Sequence, residues 1–191
     1  MDHAGGVLLL AEGRVKLGSL TEEGKQTILA FIEPGELFGE LALMGAAERE
    51  EYAEAVEEST VVLIANDVMQ QLLDENPQLS LGITRLFGLR LQRVERRLKY
   101  LLFRSNRERL VHLLLELSEK YGQRHAHGVE LGIKLSHQDL ASINGSTRET
   151  VTVVLGELQA EGRLELGRRK IVLTDLPFLA NSVGRPQPRL N

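Results

Sequence analysis

The spacing of apolar residues changes once along this chain, near residue 67, and the change limits the folds open to it. Before that point, short apolar runs such as residues 7–10 and 60–64 are separated by turn residues. Beyond it, apolar residues recur every three or four positions, which is the period of an amphipathic helix. Short strands at turn-separated intervals favour a small barrel or jelly roll. The pattern therefore predicts an α+β protein with an N-terminal β jelly roll followed by helices.

The residue composition excludes several classes of site. The chain has no cysteine among its 191 residues, which rules out disulfide scaffolds, cysteine-ligated iron–sulfur clusters, thiolate zinc sites and cysteine nucleophiles. No apolar run approaches the ~18 residues of a membrane helix. The first residues, Met1 to Ala4, lack the basic and apolar regions of a signal peptide. We therefore expect a cytoplasmic protein without a membrane partner.

The net charge of −4 is unevenly distributed along the chain. Residues 1–102 carry a formal charge of −7, whereas residues 103–191 carry +3. A basic half beside an acidic half indicates an anionic partner for the basic half.

Residues 77–103 predict one long helix with an apolar stripe. Pro77 begins it, because a proline at the first helical position gives up an N–H that would have no helical partner there. Five apolar residues follow at spacings of 4, 3, 4 and 3, the period of a coiled coil: Phe87, Leu91, Val94, Leu98 and Leu101. This stripe, called the seam below, favours pairing with a second copy of the chain. The alternative is a helix packed on its own domain.

Residues 136–162 predict two capped helices joined by a tight turn. Ser136-His137-Gln138-Asp139 fits a helix cap with an acid at the third helical position, and Ser146-Thr147-Arg148-Glu149 fits a capping box. Asn144-Gly145 between them is a turn signal, and Gly162 is placed to end the second helix. Two capped helices around a glycine turn predict a helix-turn-helix.

The second of these helices has one apolar face and one polar face. Its apolar face is made of Val151, Val154, Leu155 and Leu158, and its exposed side of Arg148, Glu149, Thr152 and Val153. An arginine can bond guanine O6 and N7, a glutamate can accept from cytosine N4, and a valine can contact a thymine methyl group. These residues therefore predict contacts with DNA bases. The alternative is an ordinary helical hairpin with a solvated polar face.

Residues 164–173 predict a β-hairpin, or wing, beside the helix-turn-helix. Apolar residues alternate on both sides of a turn at Gly167-Arg168-Arg169-Lys170. Three cations at the tip of a hairpin are suited to contact with backbone phosphates.

Two motifs together resemble one protein family. The segment Gly145-Ser146-Thr147-Arg148-Glu149-Thr150-Val151 resembles the recognition helix of the cyclic-AMP receptor protein/FNR family of bacterial transcription regulators. The segment Pro34-Gly35-Glu36-Leu37-Phe38-Gly39-Glu40-Leu41-Ala42-Leu43 resembles that family's nucleotide-binding-domain motif. The resemblance covers nearly the whole chain. It implies a jelly roll, a long dimerisation helix and a winged helix-turn-helix, in a homodimer that binds a two-fold symmetric site in double-stranded DNA.

The resemblance also implies domain bounds and residue roles. The expected parts are a cyclic-nucleotide-binding-like β roll over residues 1–75, a dimerisation helix over 76–103, a winged helix-turn-helix over 104–178 and a flexible tail over 179–191. Arg148 and Glu149 are expected to contact the G·C pairs of each half-site, beside Thr152 and Val153. Residues expected to contact phosphates or to be positioned for them are Ser136, His137, Thr147, Arg168, Arg169 and Lys170.

Three departures from the family pattern change these expectations. Members carry a few dozen residues before the stretch that matches residues 7–13, so we expect an incomplete barrel or an upstream start codon. Val153 stands where the receptor protein has a base-contacting arginine, so the preferred sequence should differ there. The third departure lies in the nucleotide pocket, expected at Gly39, Glu40 and Arg49. Glu50 and Glu51 follow Arg49, and carboxylates there would repel a phosphate, so we expect no cofactor and disfavour cyclic AMP.

The sequence therefore predicts a regulator of transcription and not an enzyme. It would act as an activator at promoters, contact RNA polymerase and need no small effector. The resemblance is strongest to an effector-free, stress-responsive branch of the Thermus/Deinococcus group, at Tyr52-Ala53-Glu54-Ala55 and at the recognition helix. One alternative is a cyclic-AMP-dependent regulator of the same family, and another is a regulator whose short N-terminus no longer folds. A third, of another class, is a cupin-like metalloenzyme with His125, His127 and Glu130, although we expect a polar loop and no metal there.

Overall fold

Six short strands build the N-terminal part of the protein in our computed structural model, which describes residues 5–24, 26–44, 51–168 and 170–190. They are β1 (Gly6–Glu12), β2 (Val15–Leu20), β3 (Gln26–Ile32), β4 (Leu37–Phe38), β5 (Glu51–Ala55) and β6 (Thr60–Ala65). They form two antiparallel three-stranded sheets in the orders β4-β1-β6 and β3-β2-β5. The expected N-terminal β roll is thus present, with a 3₁₀ turn at Glu40–Met44.

The apolar interior of this roll follows from the alternation of each strand. Inward-facing residues of both sheets meet in one cluster formed by Leu10, Val15, Leu17, Ile32 and Phe38. A second cluster, Val7, Met69 and Ile83, joins the roll to two helices, α1 (Asn66–Glu75) and α2 (Pro77–Phe103). The proline at the first position of α2 agrees with the sequence-based prediction.

The C-terminal part contains four more helices and four strands. They are α3 (Asn106–Tyr121), β7 (Gly122–His125), β8 (Gly128–Leu131), α4 (His137–Asn144), α5 (Arg148–Ala160), β9 (Leu164–Gly167), β10 (Lys170–Leu173) and α6 (Leu176–Ser182). The strands form one antiparallel sheet in the order β7-β8-β10-β9. The helices bury a core rich in leucine that includes Leu114, Leu140, Leu155, Leu158 and Leu173. The chain divides into two compact units, Met1–Arg96 and Arg97–Asn191.

Two sequence-based expectations for the C-terminal unit are wrong. Residues 122–130 were expected as a polar loop, but β7 and β8 pair as a hairpin in which Val129 and Leu131 are buried. A flexible tail was expected from residue 179, but residues 179–182 belong to α6, and Leu179 and Ala180 are completely buried. Both short segments contribute apolar side chains to the core, and this burial stabilises their secondary structure. The polar residues around these side chains are typical of a loop, so the sequence pattern does not predict that structure.

The C-terminal segment after α6 is also held by polar contacts. Arg185 donates hydrogen bonds to the His112 carbonyl oxygen and to a carboxylate oxygen of Glu119, both on α3. His112 itself is buried and its ring stacks on Tyr100, with 4.2 Å between the ring centroids. His112 is therefore a packing residue of α3.

Candidate nucleic-acid interface

Helix α4 begins with the cap that the sequence predicts. The backbone N–H of Ser136 donates to Asp139 Oδ2 over 2.9 Å, and the Asp139 N–H donates to Ser136 Oγ over 3.1 Å. This reciprocal capping box satisfies two N–H groups that have no helical partner. It fixes the first turn of α4, where His137 is the first helical residue.

The turn between α4 and α5 depends on a glycine. Gly145 has a φ of +63°, the left-handed conformation that ends α4. A Cβ atom at this position would lie 2.9 Å from Leu101 Cδ2. Gly145 therefore meets two requirements, a backbone conformation unfavourable for other residues and a close approach by the end of α2.

Helix α5 begins one residue later than the predicted capping box. Its cap is Thr147, whose Oγ1 accepts from the Thr150 N–H over 3.2 Å, whereas Ser146 accepts from Asn144 Nδ2 in the turn. The predicted cap at Ser146 is wrong because the left-handed Gly145 needs one further turn residue before the chain becomes extended. Thr147 thus has a positioning role for α5.

Glu149 is the second residue of α5 and is exposed to solvent. Its pKa is lowered first by its own backbone N–H and then by the Thr147 hydroxyl, against an opposing effect of burial, and last and least by the charge of Arg148. The side chain is therefore a carboxylate near neutral pH, the state that accepts hydrogen bonds from a cytosine amino group.

The exposed face of α5 carries the side chains that the sequence predicts. Arg148 is exposed, and the Val153 side chain is 60% exposed. The opposite face buries Val151, Val154, Leu155 and Leu158. At its C-terminal end, the N–H groups of Gly162 and Arg163 donate back to Gln159 and Leu158, the pattern of a Schellman motif. Both ends of α5 are thus fixed.

Two ion pairs anchor the outer side of α5 on α3. Arg107 lies 3.1 Å from a carboxylate oxygen of Glu157 and 2.7 Å from one of Glu161. These hydrogen bonds and charges, led by that of Glu161, raise the pKa of Arg107 against its partial burial. All three side chains are partly exposed, so the pairs fix orientation more than they add stability.

Thr152 differs from the other residues expected to contact bases. Its hydroxyl donates to the Arg148 carbonyl oxygen over 2.8 Å and lies 2.8 Å from His137 Nδ1. Thr152 and His137 are therefore in contact with each other, across the two helices of the helix-turn-helix. Sequence patterns could not reveal this pair, because the two residues lie fifteen positions apart on different helices.

Of the two wing cations that the structure describes, one is exposed and one is paired. Arg168 is exposed in the β9–β10 turn, and Arg169 lies outside the described residues. Lys170 belongs to β10, where its ammonium lies 2.8 Å from Glu130 and 3.5 Å from His125 Nε2. Lys170 is thus not at the tip as expected, because strand pairing brings it beside the acid of β8.

A cleft of about 500 Å³ lies between α4, the start of α5 and the wing. Its lining includes Ser136, His137, Gln138, Arg148 and Lys170. The amino-terminal ends of α4 and α5 both face this cleft, and helix N-termini favour anions. The positive charge of Arg148 and the two helix N-termini suit a phosphate backbone beside the cleft, whereas Lys170 is already paired with Glu130.

The residues of the expected nucleotide pocket are only partly described. Arg49 and Glu50 lie outside the described residues, Gly39 precedes the 3₁₀ turn, and Glu51 begins β5. Glu40 is already paired: its Oε1 accepts from Arg90 Nη1 over 2.8 Å, and Arg90 also donates to the Leu37 carbonyl oxygen. Both side chains are mostly buried, with 17% and 19% exposed.

The seam of α2 is exposed to solvent. Its members are 36–61% exposed: Phe87, Leu91, Val94, Leu98 and Leu101. The alternative, a helix whose stripe packs on its own domain, would bury these side chains. An exposed apolar stripe on a long helix marks a surface for a partner.

His125 and His127 face each other across the β7–β8 turn with 6.0 Å between ring centroids. Within the described ranges, no group of three or more histidine, aspartate or glutamate side chains is arranged to hold a metal ion. In the same part of the chain, no helix combines the length and apolar character needed to cross a membrane.

Comparison with known proteins adds independent evidence. A Crp-like helix-turn-helix domain model matches residues 108–182, and a cyclic nucleotide-binding domain model matches residues 1–76. The transcriptional regulator SdrP of Thermus thermophilus is 38% identical over 88% of this chain and 79% of its own length. The global nitrogen regulator of Nostoc sp. is 34% identical over 90% of this chain and 78% of its own length.

Solved structures agree with these similarities. A CRP-family transcriptional regulator from Thermus thermophilus superimposes with a TM-score of 0.81 and 28% identity, covering 97% of this chain and 91% of that one. A second regulator from the same organism, of the CRP/FNR family, gives a TM-score of 0.78 and 32% identity, covering 96% and 88%.

Proposed function

This chain belongs to the cyclic-AMP receptor protein/FNR family of DNA-binding transcription regulators, and from that premise we propose that it is a homodimeric activator that binds a two-fold symmetric promoter site without cyclic AMP. The observation that carries the proposal is the exposed first turn of α5. There Arg148 and the ionised Glu149 are both exposed, and Arg148 helps to line the cleft.

The exposed seam supports the homodimer. Its spacing places Leu91 and Leu98 at the a positions of a heptad and Phe87, Val94 and Leu101 at the d positions. Parallel pairing of two copies would bury this stripe and present two α5 helices to successive major grooves, about 34 Å apart.

The Glu40–Arg90 ion pair supports independence from cyclic AMP. By the family resemblance, Glu40 belongs to the nucleotide pocket, and its Oε1 is already bonded to Arg90. A nucleotide that took Oε1 would have to displace Arg90 from this mostly buried pair, which costs free energy, so Oε2 is the oxygen of Glu40 left for a ligand. The alternative, a cyclic-AMP-dependent regulator, is favoured by the match of residues 1–76 to the nucleotide-binding domain model.

The remaining parts of the proposal rest on likeness to the family. We expect a cytoplasmic protein that contacts RNA polymerase, in a stress response like that of the Thermus/Deinococcus branch. We expect no catalytic activity, since the relatives named above are regulators.

The test uses the purified full chain. Bound sites are selected from random DNA, and the affinity for the selected site is measured by fluorescence anisotropy with and without cyclic AMP. We expect a palindromic site, a dimer by analytical ultracentrifugation, and equal affinity in both conditions. A selected site that lacks symmetry, or binding that appears only with cyclic AMP, would contradict the proposal.

A further inference from the structure

The contact between His137 and Thr152 joins the two helices of the helix-turn-helix at their exposed side. His137 is the first residue of α4 and half-buried, and Thr152 is exposed one turn into α5. His137 also lines the cleft together with Arg148. The contact therefore lies beside the side chain proposed to read guanine.

The protons of this contact can be assigned from the number of donors. A threonine hydroxyl has one proton and two lone pairs. The proton goes to the Arg148 carbonyl oxygen, because a carbonyl can only accept. Toward His137 the hydroxyl must then accept, so Nδ1 of His137 carries the hydrogen.

This assignment changes the expected role of Thr152. Its hydroxyl proton is committed inside the protein, and one of its lone pairs is used by His137. It cannot donate to a base acceptor without breaking its bond to the helix backbone. The same bonds connect His137, through Thr152, to the peptide group of Arg148.

We propose that His137 and Thr152 act as one positioning unit, which sets where Arg148 meets the DNA, and that Thr152 does not donate a hydrogen bond to a base. The inference rests on the proposed function, since it assumes that Arg148 contacts a base. His137 holds the Thr152 hydroxyl, and that hydroxyl holds the carbonyl of Arg148 at the first helical position of α5. The backbone that carries the guanidinium is thus tied to α4 as well as to its own helix.

The first experiment removes each half of the contact. Thr152→Val keeps the side-chain shape but loses the hydroxyl, and His137→Ala loses the donor. We expect each change to lower the preference for the selected site over random DNA about threefold to tenfold, the range of one lost hydrogen bond. The double variant should lose no more than the larger single loss, because both changes break the same link.

Conservative variants separate positioning from direct contact. Thr152→Ser keeps the hydroxyl, and His137→Asn keeps an N–H near the position of Nδ1, so both should retain the wild-type preference. His137→Gln places its N–H near the position of Nε2 and should not. Thr174→Val is the matched control, because it also removes a hydroxyl bonded to a backbone carbonyl, that of Gly162, at 2.8 Å, but outside the cleft.

Each measured quantity has an outcome that would overturn the inference. If Thr152→Val changes the preferred base at a new position and leaves the Arg148 position unaltered, Thr152 contacts a base directly. If His137→Ala lowers the slope of log affinity against log salt by about one and adds to Thr152→Val, His137 acts on a phosphate alone. A wild-type chain that binds no DNA at all would instead contradict the proposed function.

A spectroscopic measurement tests the same link without DNA. In the free protein, the ¹⁵N shifts of His137 should show the hydrogen on Nδ1, and Thr152→Val should shift the tautomer balance toward Nε2. A wild-type His137 with its hydrogen on Nε2 would overturn the assignment even if the variants bound DNA poorly.

Discussion

The regions before and after residue 103 differ in how many large apolar side chains they expose to solvent. Beyond residue 103, only two large apolar side chains among the described residues are exposed, Val153 and Phe178. The guanidinium of Arg163 lies 3.7 Å from the centre of the Phe178 ring and partly covers it. Val153, on the face of α5 expected to contact DNA, is 60% exposed. The earlier region exposes many more, including the whole seam and three consecutive residues of β6, Val61, Val62 and Leu63.

Helix ends show the same contrast. Helices α3, α4 and α5 each begin with a side chain that accepts a backbone N–H: Ser105, Ser136 and Thr147. Helix α1 has no such cap. The winged helix-turn-helix therefore buries most of its large apolar side chains and caps its helices, whereas the roll and long helix expose apolar surface that suits a partner.

The largest expected effect comes from charging the seam. Leu91→Glu combined with Leu98→Glu would place like charges opposite each other in a parallel pair. We expect a monomer by analytical ultracentrifugation and about a hundredfold or greater loss of affinity for the symmetric site, because two linked half-sites bind far more tightly than one.

The control for that change is Leu89→Glu. Leu89 is as exposed as the seam, at 56%, but occupies the outermost position of the same heptad. It should leave the dimer intact. A monomer from this variant, or a dimer from the double variant, would show that the exposed stripe is not the pairing surface.

Arg148→Ala tests the exposed first turn of α5. We expect a loss of ~1–3 kcal/mol on the selected site and a relaxed preference at one base pair. Arg168→Ala, in the wing turn, should weaken binding to all sequences evenly and lower the salt slope by about one. Equal effects of both variants on random and selected DNA, measured by anisotropy, would contradict the division between base and phosphate contacts.

Arg90→Met tests whether the N-terminal unit depends on its internal ion pair. The change leaves the Glu40 carboxylate mostly buried without its Arg90 partner, and the Leu37 carbonyl oxygen without its donor, so we expect a loss of about 2 kcal/mol in the free energy of unfolding. Adding Glu40→Gln should recover part of the loss, because a neutral amide costs less to bury. Urea denaturation measures both, and additive losses would show that the two side chains are not coupled.

The smallest effect is expected at the cap of α3. Ser105→Ala should cost about 1 kcal/mol of stability.

The pKa of Glu108 is lowered by the Ser105 backbone N–H, the Ser105 hydroxyl and then Arg104. A lowered pKa in the folded state contributes stability above the unfolded value of about 4.3, and that contribution disappears as pH falls through the folded pKa. The free energy of unfolding of Glu108→Gln should therefore be lower than that of wild type at pH 7, and the two should converge in acid.

The helix-turn-helix was predictable because its determinants are local. A serine followed three residues later by an acid, a glycine in a turn and an apolar period are all visible in sequence. The seam was visible for the same reason. The shift of the α5 cap from Ser146 to Thr147 was not, since it depends on how many residues the left-handed turn requires.

Pairings between separate elements could not be predicted. Lys170 was expected to be free for phosphate, but the register of β10 on β8 places it beside Glu130. Glu40 meets Arg90 from fifty residues away, and α6 buries Leu179 although prolines follow it. Each depends on tertiary packing, which a single sequence does not specify.

The close approach of Leu101 to Gly145 also has a consequence for comparing relatives. A larger residue at one of these positions requires a smaller or displaced residue at the other, so the two should co-vary where the turn is kept. A substitution at Gly145 should be poorly tolerated whatever residue stands at position 101, forty-four positions away, because its positive φ strains any side chain.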